Sequence, residues 1–388
     1  MVAALQNVSR TISYLLRLVL IEFRTAASTV LRITYGYNAQ TNETDRPDVL
    51  VKLIDQVMLN FTKAALPGAW LVDLVPALRH IPDNFPGAAF KKHARNWRET
   101  IETAAIIPYH FVRERMASEK YDPSYVSRLV EQLTAEGDKL SHEDEQAIIW
   151  TATTLYGAAA DTTVISLTAF TLAMVQFPHV QRKAQEELDR VVGKGKLPTM
   201  ADRDNLPYID ALIKEVSRWW PTAGMGFPHT ATEDITYEGY FIPKDAVIMP
   251  AVWAFTRDEE LHPNPEVFDP ERYLSPRDEP DPRAETFGYG RRGCPGKYFA
   301  HTNLFVTIAQ ILAVFDILRP LDKEGKEVEV VARRLPGLLT YASDFEVRFE
   351  PRSEKHTEML SSIERELPVD KSDAWLLGDT QINHLLDR

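Results

Sequence analysis

Residues 287–296 read Phe287-Gly288-Tyr289-Gly290-Arg291-Arg292-Gly293-Cys294-Pro295-Gly296, and they hold the only cysteine of the 388-residue chain. A lone cysteine is ordinarily a small buried hydrophobe. Here glycines and an aromatic precede it, a Pro-Gly pair follows, and an apolar helical pattern runs from about Lys297 to Phe315. Glycines let backbone amides approach the sulfur, and the partial positive charge of a helix start favours thiolate over thiol. Arg292 offers a cation to a nearby anion. The same letters also spell G-x-G-x-x-G, with Asp316 where a ribose-binding acid would fall. A dinucleotide fold needs a buried strand ahead of those glycines, and Pro280-Asp281-Pro282-Arg283-Ala284-Glu285-Thr286 is no strand. A nucleotide-binding dehydrogenase is therefore the weaker reading.

Working outward, no proline interrupts Glu143 to Gln176, and Pro178 lies just beyond. A helix of that length spans roughly 50 Å at 1.5 Å rise per residue. Ser141 and Asp144 form a capping-box pattern at its start. Its middle reads Tyr156-Gly157-Ala158-Ala159-Ala160-Asp161-Thr162-Thr163, small residues just ahead of an acid and an alcohol. Two more helices are expected, Pro178 to Val192 and Tyr208 to Trp220, the second stopped by Pro221. Ile235 to Met249 alternates around Glu238-Gly239 and Pro243-Lys244, which predicts short strands joined by turns. Leu261 to Pro282 is proline-rich and irregular. Asp344 to Glu350 reads as a strand, followed from about Arg352 by a polar, partly helical tail.

The N-terminal 120 residues read as scaffold helices punctuated by Pro47, Pro67-Gly68, Pro82 and Pro86-Gly87. Thr11 to Thr34 is broken by Arg17, Glu22, Arg24 and Arg32, so it reads as an amphipathic helix or pair of helices and not as a spanning anchor. With 44 basic against 56 acidic residues and a net charge of −12, nucleic acid is excluded as an expected partner. One cysteine makes no intrachain disulfide, which fits a reducing compartment or a cysteine kept for its chemistry. Sequons at Asn7, Asn42 and Asn60 are read as chance, because no signal peptide accompanies them.

The spacing Phe287-x-x-Gly290-x-Arg292-x-Cys294-x-Gly296 matches at every defined position the heme-binding loop of the cytochrome P-450 family, which the chain resembles from about Ser13 to Arg352. The resemblance implies that Cys294 is the axial iron ligand, that Phe287 packs near the sulfur and that Arg292 pairs with a heme propionate. A thiolate ligand pushes electron density onto iron and favours O–O cleavage. Glu215-x-x-Arg218 alone would be a surface ion pair, since i and i+3 share a helix face. With Pro270-Glu271-Arg272-Tyr273 it resembles the family's Glu–Arg–Arg lock, in which Glu215 and Arg218 bond Arg272. Ala158-Ala159-Ala160-Asp161-Thr162 resembles the oxygen-binding segment, with Ala159 in place of the usual glycine. There Asp161 and Thr162 would relay protons as positioned acids. His229 stands where family members place a second propionate contact, and Thr222–Phe227 and Leu335–Leu338 fall where they line the substrate pocket.

The fold this implies is mainly α, a cytochrome P-450 fold with small β-sheets, lacking the N-terminal helices and much of the main sheet. Residues 1–352 would form a partial cytochrome P-450 domain and residues 353–388 the polar tail. The implied function is a heme-thiolate monooxygenase of the fungal secondary-metabolite type. It would insert one oxygen atom from O2 into an apolar small molecule, with electrons from NADPH through a reductase. Arg291 and Lys297, basic residues on an acidic chain, would face that reductase. The family resemblance places the work at the cytosolic face of the endoplasmic reticulum membrane, although no transmembrane segment is expected in this chain. The alternative expectation is a truncated, catalytically impaired paralogue or incomplete gene model, in which the propionate clamp and pocket lid are missing.

Overall fold

The computed structural model describes residues 27–39, 48–66, 68–119, 121–135, 137–366 and 371–377. The first two sequons, at Asn7 and Asn42, and the stretch from Thr11 to Ala26 lie outside them. Residues 27–35 are helical, with Ala27, Val30, Leu31, Thr34 and Tyr35 buried and Arg32 and Ile33 exposed, the spacing of an amphipathic helix. The longer helices that follow are α1 (Val49–Ala64), α2 (Ala89–Ala117), α3 (Tyr125–Leu133), α4 (His142–Gln176), α5 (Pro178–Val191), α6 (Pro207–Trp219), α7 (Lys297–Val314) and α8 (Glu354–Glu366).

The long helix α4 is the axis of the molecule, and α1, α2, α3, α5, α6 and α7 all pack against it. Its second half is apolar all round, as expected for a helix enclosed by others. By length and hydropathy it could cross a membrane, but 78% of that apolar window is buried inside the protein, which makes it a core helix. Close approach requires small residues: a Cβ on Gly157 would stand 3.3 Å from Met58 Sδ and 3.5 Å from Ile54 Cδ1 of α1. Tyr156 donates to the Leu50 carbonyl at 3.1 Å, tying the same two helices. Ser141 caps α4 by accepting from the Asp144 N–H. The reciprocal half of the expected capping box is not made, because the Asp144 carboxylate accepts from the Ser141 hydroxyl at 2.6 Å instead of from the backbone. The third sequon residue, Asn60, is buried inside α1 and accepts from Gln56 at 2.9 Å, so it is packed as a core polar group.

Three two-stranded antiparallel sheets occur among the described residues. They pair β1 (His229–Thr230) with β4 (Val247–Ile248), β2 (Ile235–Tyr237) with β3 (Tyr240–Ile242), and β5 (Phe315–Leu318) with β6 (Arg348–Pro351). Glu238 and Gly239 both have positive φ, 50° and 85°, the two left-handed residues of a tight hairpin turn. Helix α7 ends at Val314, because Phe315 turns extended and buried to start β5. The last strand begins at Arg348, later than Asp344. The dinucleotide reading fails here: a short helix, Arg283–Thr286, precedes the glycines, and Asp316 accepts from Gln185 at 2.9 Å within the β5 region. Beyond β6, Arg352 forms two bonds to Asp189 at 2.9 and 2.7 Å, α8 buries Leu360, and Asp373 exchanges two hydrogen bonds with the Asn38 backbone.

The Glu215–Arg218 pair is not at the surface. Both side chains are fully buried, and Arg272 is 1% exposed. Glu215 accepts from Arg218 Nε and Nη2, each at 2.8 Å, from Arg272 Nε at 3.3 Å, from the Asp269 N–H at 2.9 Å and from the Tyr273 hydroxyl at 3.1 Å. Arg272 in turn donates to the carbonyls of Pro263, Asn264 and Val267. The irregular stretch is thus held by charge-assisted bonds where no sheet or helix holds it. Removing the carboxylate leaves the Arg218 guanidinium buried without its counter-charge and leaves Arg272 with Glu279 alone, at 3.3 Å. Glu215→Ala should therefore lower unfolding stability by roughly 3–5 kcal/mol, read as a shift of the urea midpoint; a change within error would show that the lock carries no stability.

Candidate functional site

The cysteine loop is bent by Gly288 and Gly290, at φ 73° and 53°, values a side chain rarely tolerates. It closes where the Cys294 N–H donates to the Phe287 carbonyl at 2.7 Å, with Arg292 N–H to Tyr289 and Gly293 N–H to Gly290 inside it. Helix α7 starts three residues after the cysteine, with Gly296 as a cap that has no side chain. Cys294 is partly exposed and lines a cleft with a volume of about 300 Å³. Phe287, Gly288, Cys294 and Pro295 line it, joined by Ala300 and Leu304 of α7. Thr162, Thr163 and Ser166 of α4 also line it, and Arg292 and His229 are among its remaining wall residues.

Several sequence candidates therefore share one cavity: Cys294, Phe287, Arg292, His229 and Thr162. Gly290 and Gly296 shape the loop without lining the cleft. Glu215, Arg218 and Arg272 lie apart, as the lock beneath the irregular stretch. Of the expected pocket segments, Thr222, Ala223, Gly226 and Phe227 line the cleft. None of Leu335–Leu338 does; the lining residue from that region is Leu339, and Gly337 instead lies flat on α1, where a Cβ would meet Thr62 Cγ2 at 2.7 Å.

Asp161 is not brought to the cleft. The acid is buried, 2% exposed, and is not among the residues that line the cavity, whereas Thr162 and Thr163 are. Its carboxylate accepts a hydrogen bond from the Tyr341 hydroxyl. Burial pushes its pKa up to about 7, with the Tyr341 bond opposing and the charge of Asp55 adding to the rise. Thr162 donates to the Ala158 carbonyl one turn back at 2.8 Å. Ala158 is exposed and Ala159 half-buried on that same helix face, whereas Ala160 is buried in the core.

Reading the sequence alone missed Thr163, Ser166, Thr286 and Tyr341. Thr163 adjoins Thr162 and Ser166 lies one helical turn beyond it, so both were open to discovery. Thr286 precedes the loop, and its hydroxyl is buried with no hydrogen-bond partner among the described residues. Arg292 likewise has no side-chain partner among them, although it is exposed. His229 Nδ1 lies 2.8 Å from the Phe227 carbonyl, a contact that fixes the imidazole plane at the cleft edge.

A loop cysteine and the hydroxyl-bearing turns of a long helix line one mostly apolar cleft, a set of groups that could hold a thiolate-ligated cofactor. The cytochrome P-450 family model matches residues 2–340. A multifunctional cytochrome P-450 monooxygenase of Aspergillus fumigatus is 44% identical over 361 residues, 92% of this chain and 67% of that protein. A cytochrome P-450 monooxygenase of Gibberella zeae is 40% identical over 360 residues, 92% and 68% of the two chains. The O-methylsterigmatocystin oxidoreductase of Aspergillus flavus is 37% identical over 348 residues, 89% and 64%. The chain belongs to the cytochrome P-450 family, a family of heme-thiolate enzymes, and it spans about two thirds of the length of the curated relatives it matches.

The raised pKa of Asp161 has a measurable consequence. From the ordinary carboxylate range up to about pH 7, the unfolded chain releases a proton that the folded chain keeps, so stability falls with rising pH. Above about 7 both states are ionised and the loss is complete. Asp161→Asn should remove that slope, so that it gains urea resistance relative to the parent at about pH 8 but not near pH 4. Parallel pH dependences for parent and variant would contradict the burial of an ionisable acid.

Proposed function

We propose that this chain is the heme-thiolate part of a monooxygenase that inserts one oxygen atom from O2 into an apolar small molecule. Electrons would come from NADPH through a reductase, in fungal secondary metabolism, at the cytosolic face of the endoplasmic reticulum membrane. The observation that carries this reading is that the chain's only cysteine and Thr162 of α4 line one mostly apolar cleft. The donor set supports heme in that cleft. Cys294 offers a single soft ligand, and the Arg292 guanidinium and His229 stand ready for carboxylates. The buried, unpartnered Thr286 hydroxyl is a further polar group awaiting a partner. Bound heme would supply the activation of dioxygen and the oxygen-atom transfer.

The protein's own residues then have separable tasks. Cys294 would hold the iron through a thiolate that the glycine-rich loop and the start of α7 favour. Phe287, Ala300 and Leu304 supply apolar wall to the cleft that Cys294 lines. Phe227, Val252 and Leu339 offer the apolar surface for a substrate of matching character. Thr162 presents a hydroxyl at the cleft wall, positioned to handle a proton, with Asp161 behind it as the acid. Arg291 and Lys297 are exposed beside the loop, a basic spot that would steer an acidic reductase domain on an otherwise acidic protein.

Two variants test the reading. Cys294→Ser should abolish the thiolate-type band of the reduced carbon monoxide spectrum, and retention of that band would end the assignment, since no second cysteine exists to replace it. Thr162→Ala should keep the heme while coupling of NADPH use to product falls roughly tenfold or more and peroxide rises. Unchanged coupling would reduce Thr162 to scaffold.

A further inference from the structure

Asp161 and Tyr341 meet 180 positions apart in sequence. The Tyr341 hydroxyl is the donor to this carboxylate among the described residues, and the pair sits against Thr62 and Asp55 of α1. Burial and the neighbouring Asp161 hold the Tyr341 phenol well above its usual range, so it donates its proton without losing it. The backbone around Tyr341 is fastened to the cleft wall. The Thr340 N–H donates to the Thr222 carbonyl at 2.8 Å, and the Thr340 carbonyl accepts from Trp220 Nε1 at 2.6 Å. Thr222 and Leu339, on either side of these bonds, both line the cleft.

We propose that Tyr341 is the positioning residue for Asp161: it holds the acid on the buried side of α4, one helical step behind Thr162, and the acid turns toward the cleft only when that hydrogen bond opens. The consequence for turnover rests on the monooxygenase reading above; the hold itself does not. An acid that must act at neutral pH has to be kept from bulk water and close to its own titration point. Burial does both here, and Tyr341 tempers the rise by stabilising the charged form. Asp55 of α1 acts in the opposite sense, and the helix neighbours Thr162 and Thr163 carry no charge. Because Thr340 joins this segment to Trp220 and Thr222, the cleft wall and the acid share one anchor. No proton passes between Tyr341 and Asp161 in either position, so the release is a rotation of the carboxyl and nothing more.

The test is an infrared pH titration of the full chain, following the protonated-carboxyl band that disappears in Asp161→Asn. The parent band should titrate near 7. In Tyr341→Phe, which keeps the ring and removes only the donor, the midpoint should rise by about one to two pH units, the worth of a hydrogen bond to a charged group. Circular dichroism confirms that the variant is folded. In the heme-loaded, reductase-supplied protein, the same variant should release a larger share of its reducing equivalents as peroxide while KM for substrate stays put. An unmoved midpoint overturns the proposal, and a moved midpoint with unchanged coupling overturns its role in turnover. Absence of the thiolate carbon monoxide band in the parent would instead sink the monooxygenase reading, and the titration would still decide whether Tyr341 holds Asp161.

Discussion

One buried carboxylate sets the geometry of the cysteine side of this protein. Glu215 gathers two guanidinium groups, a phenol and a backbone amide, and through Arg272 it fixes carbonyls at 263, 264 and 267. Those contacts span a stretch with almost no regular structure. Without them the irregular chain leading to Phe287 would have few reasons to hold one path. A buried ionic cluster of this kind is weak evidence for net stability, because desolvation offsets its attraction. Its value is in specifying one arrangement, and here the arrangement is the approach of the loop to α4.

The other half of the cleft is fixed by packing. Helix α4 is enclosed along its second half, and its polar groups near the cleft are placed by the 100° step between successive residues. Thr162 therefore meets the cavity while Asp161 meets the core. The same step puts Gly157 against Met58 and Ile54 of α1 and leaves Ala158 on the open face. Trp253 adds a second fixed point: Arg257 and Arg334 stack over its ring at 3.2 and 4.2 Å. The Trp253 backbone N–H donates to the Gly224 carbonyl at 2.7 Å, so the cleft wall at 222–227 is tied to a residue braced by cation–π contacts.

Much of this was legible in the sequence because it is local. The glycine spacing around Cys294, the proline-free run to Gln176 and the Glu238-Gly239 hairpin all depend on neighbours within a few residues. Glu215, Arg218 and Arg272 were legible only through family resemblance; by spacing alone the first two read as a surface pair, and they are buried. What stayed hidden is non-local. Nothing near Tyr341 announces that its hydroxyl meets Asp161, and the expected pocket stretch Leu335–Leu338 missed its lining residue by one position. Of the acid and alcohol expected to act together, Thr162 lines the cleft and Asp161 is buried behind it, a difference that the bare letters of the segment do not disclose.

The central claim is that the only cysteine is an iron ligand in a cleft capped by α4. X-ray absorption at the iron edge of the hemin-loaded full chain tests it directly. The account predicts one short iron–sulfur bond of thiolate character, lost in a chain whose cysteine is blocked by alkylation before loading. An iron surrounded by nitrogen and oxygen alone, identical in the blocked and unblocked protein, would contradict it.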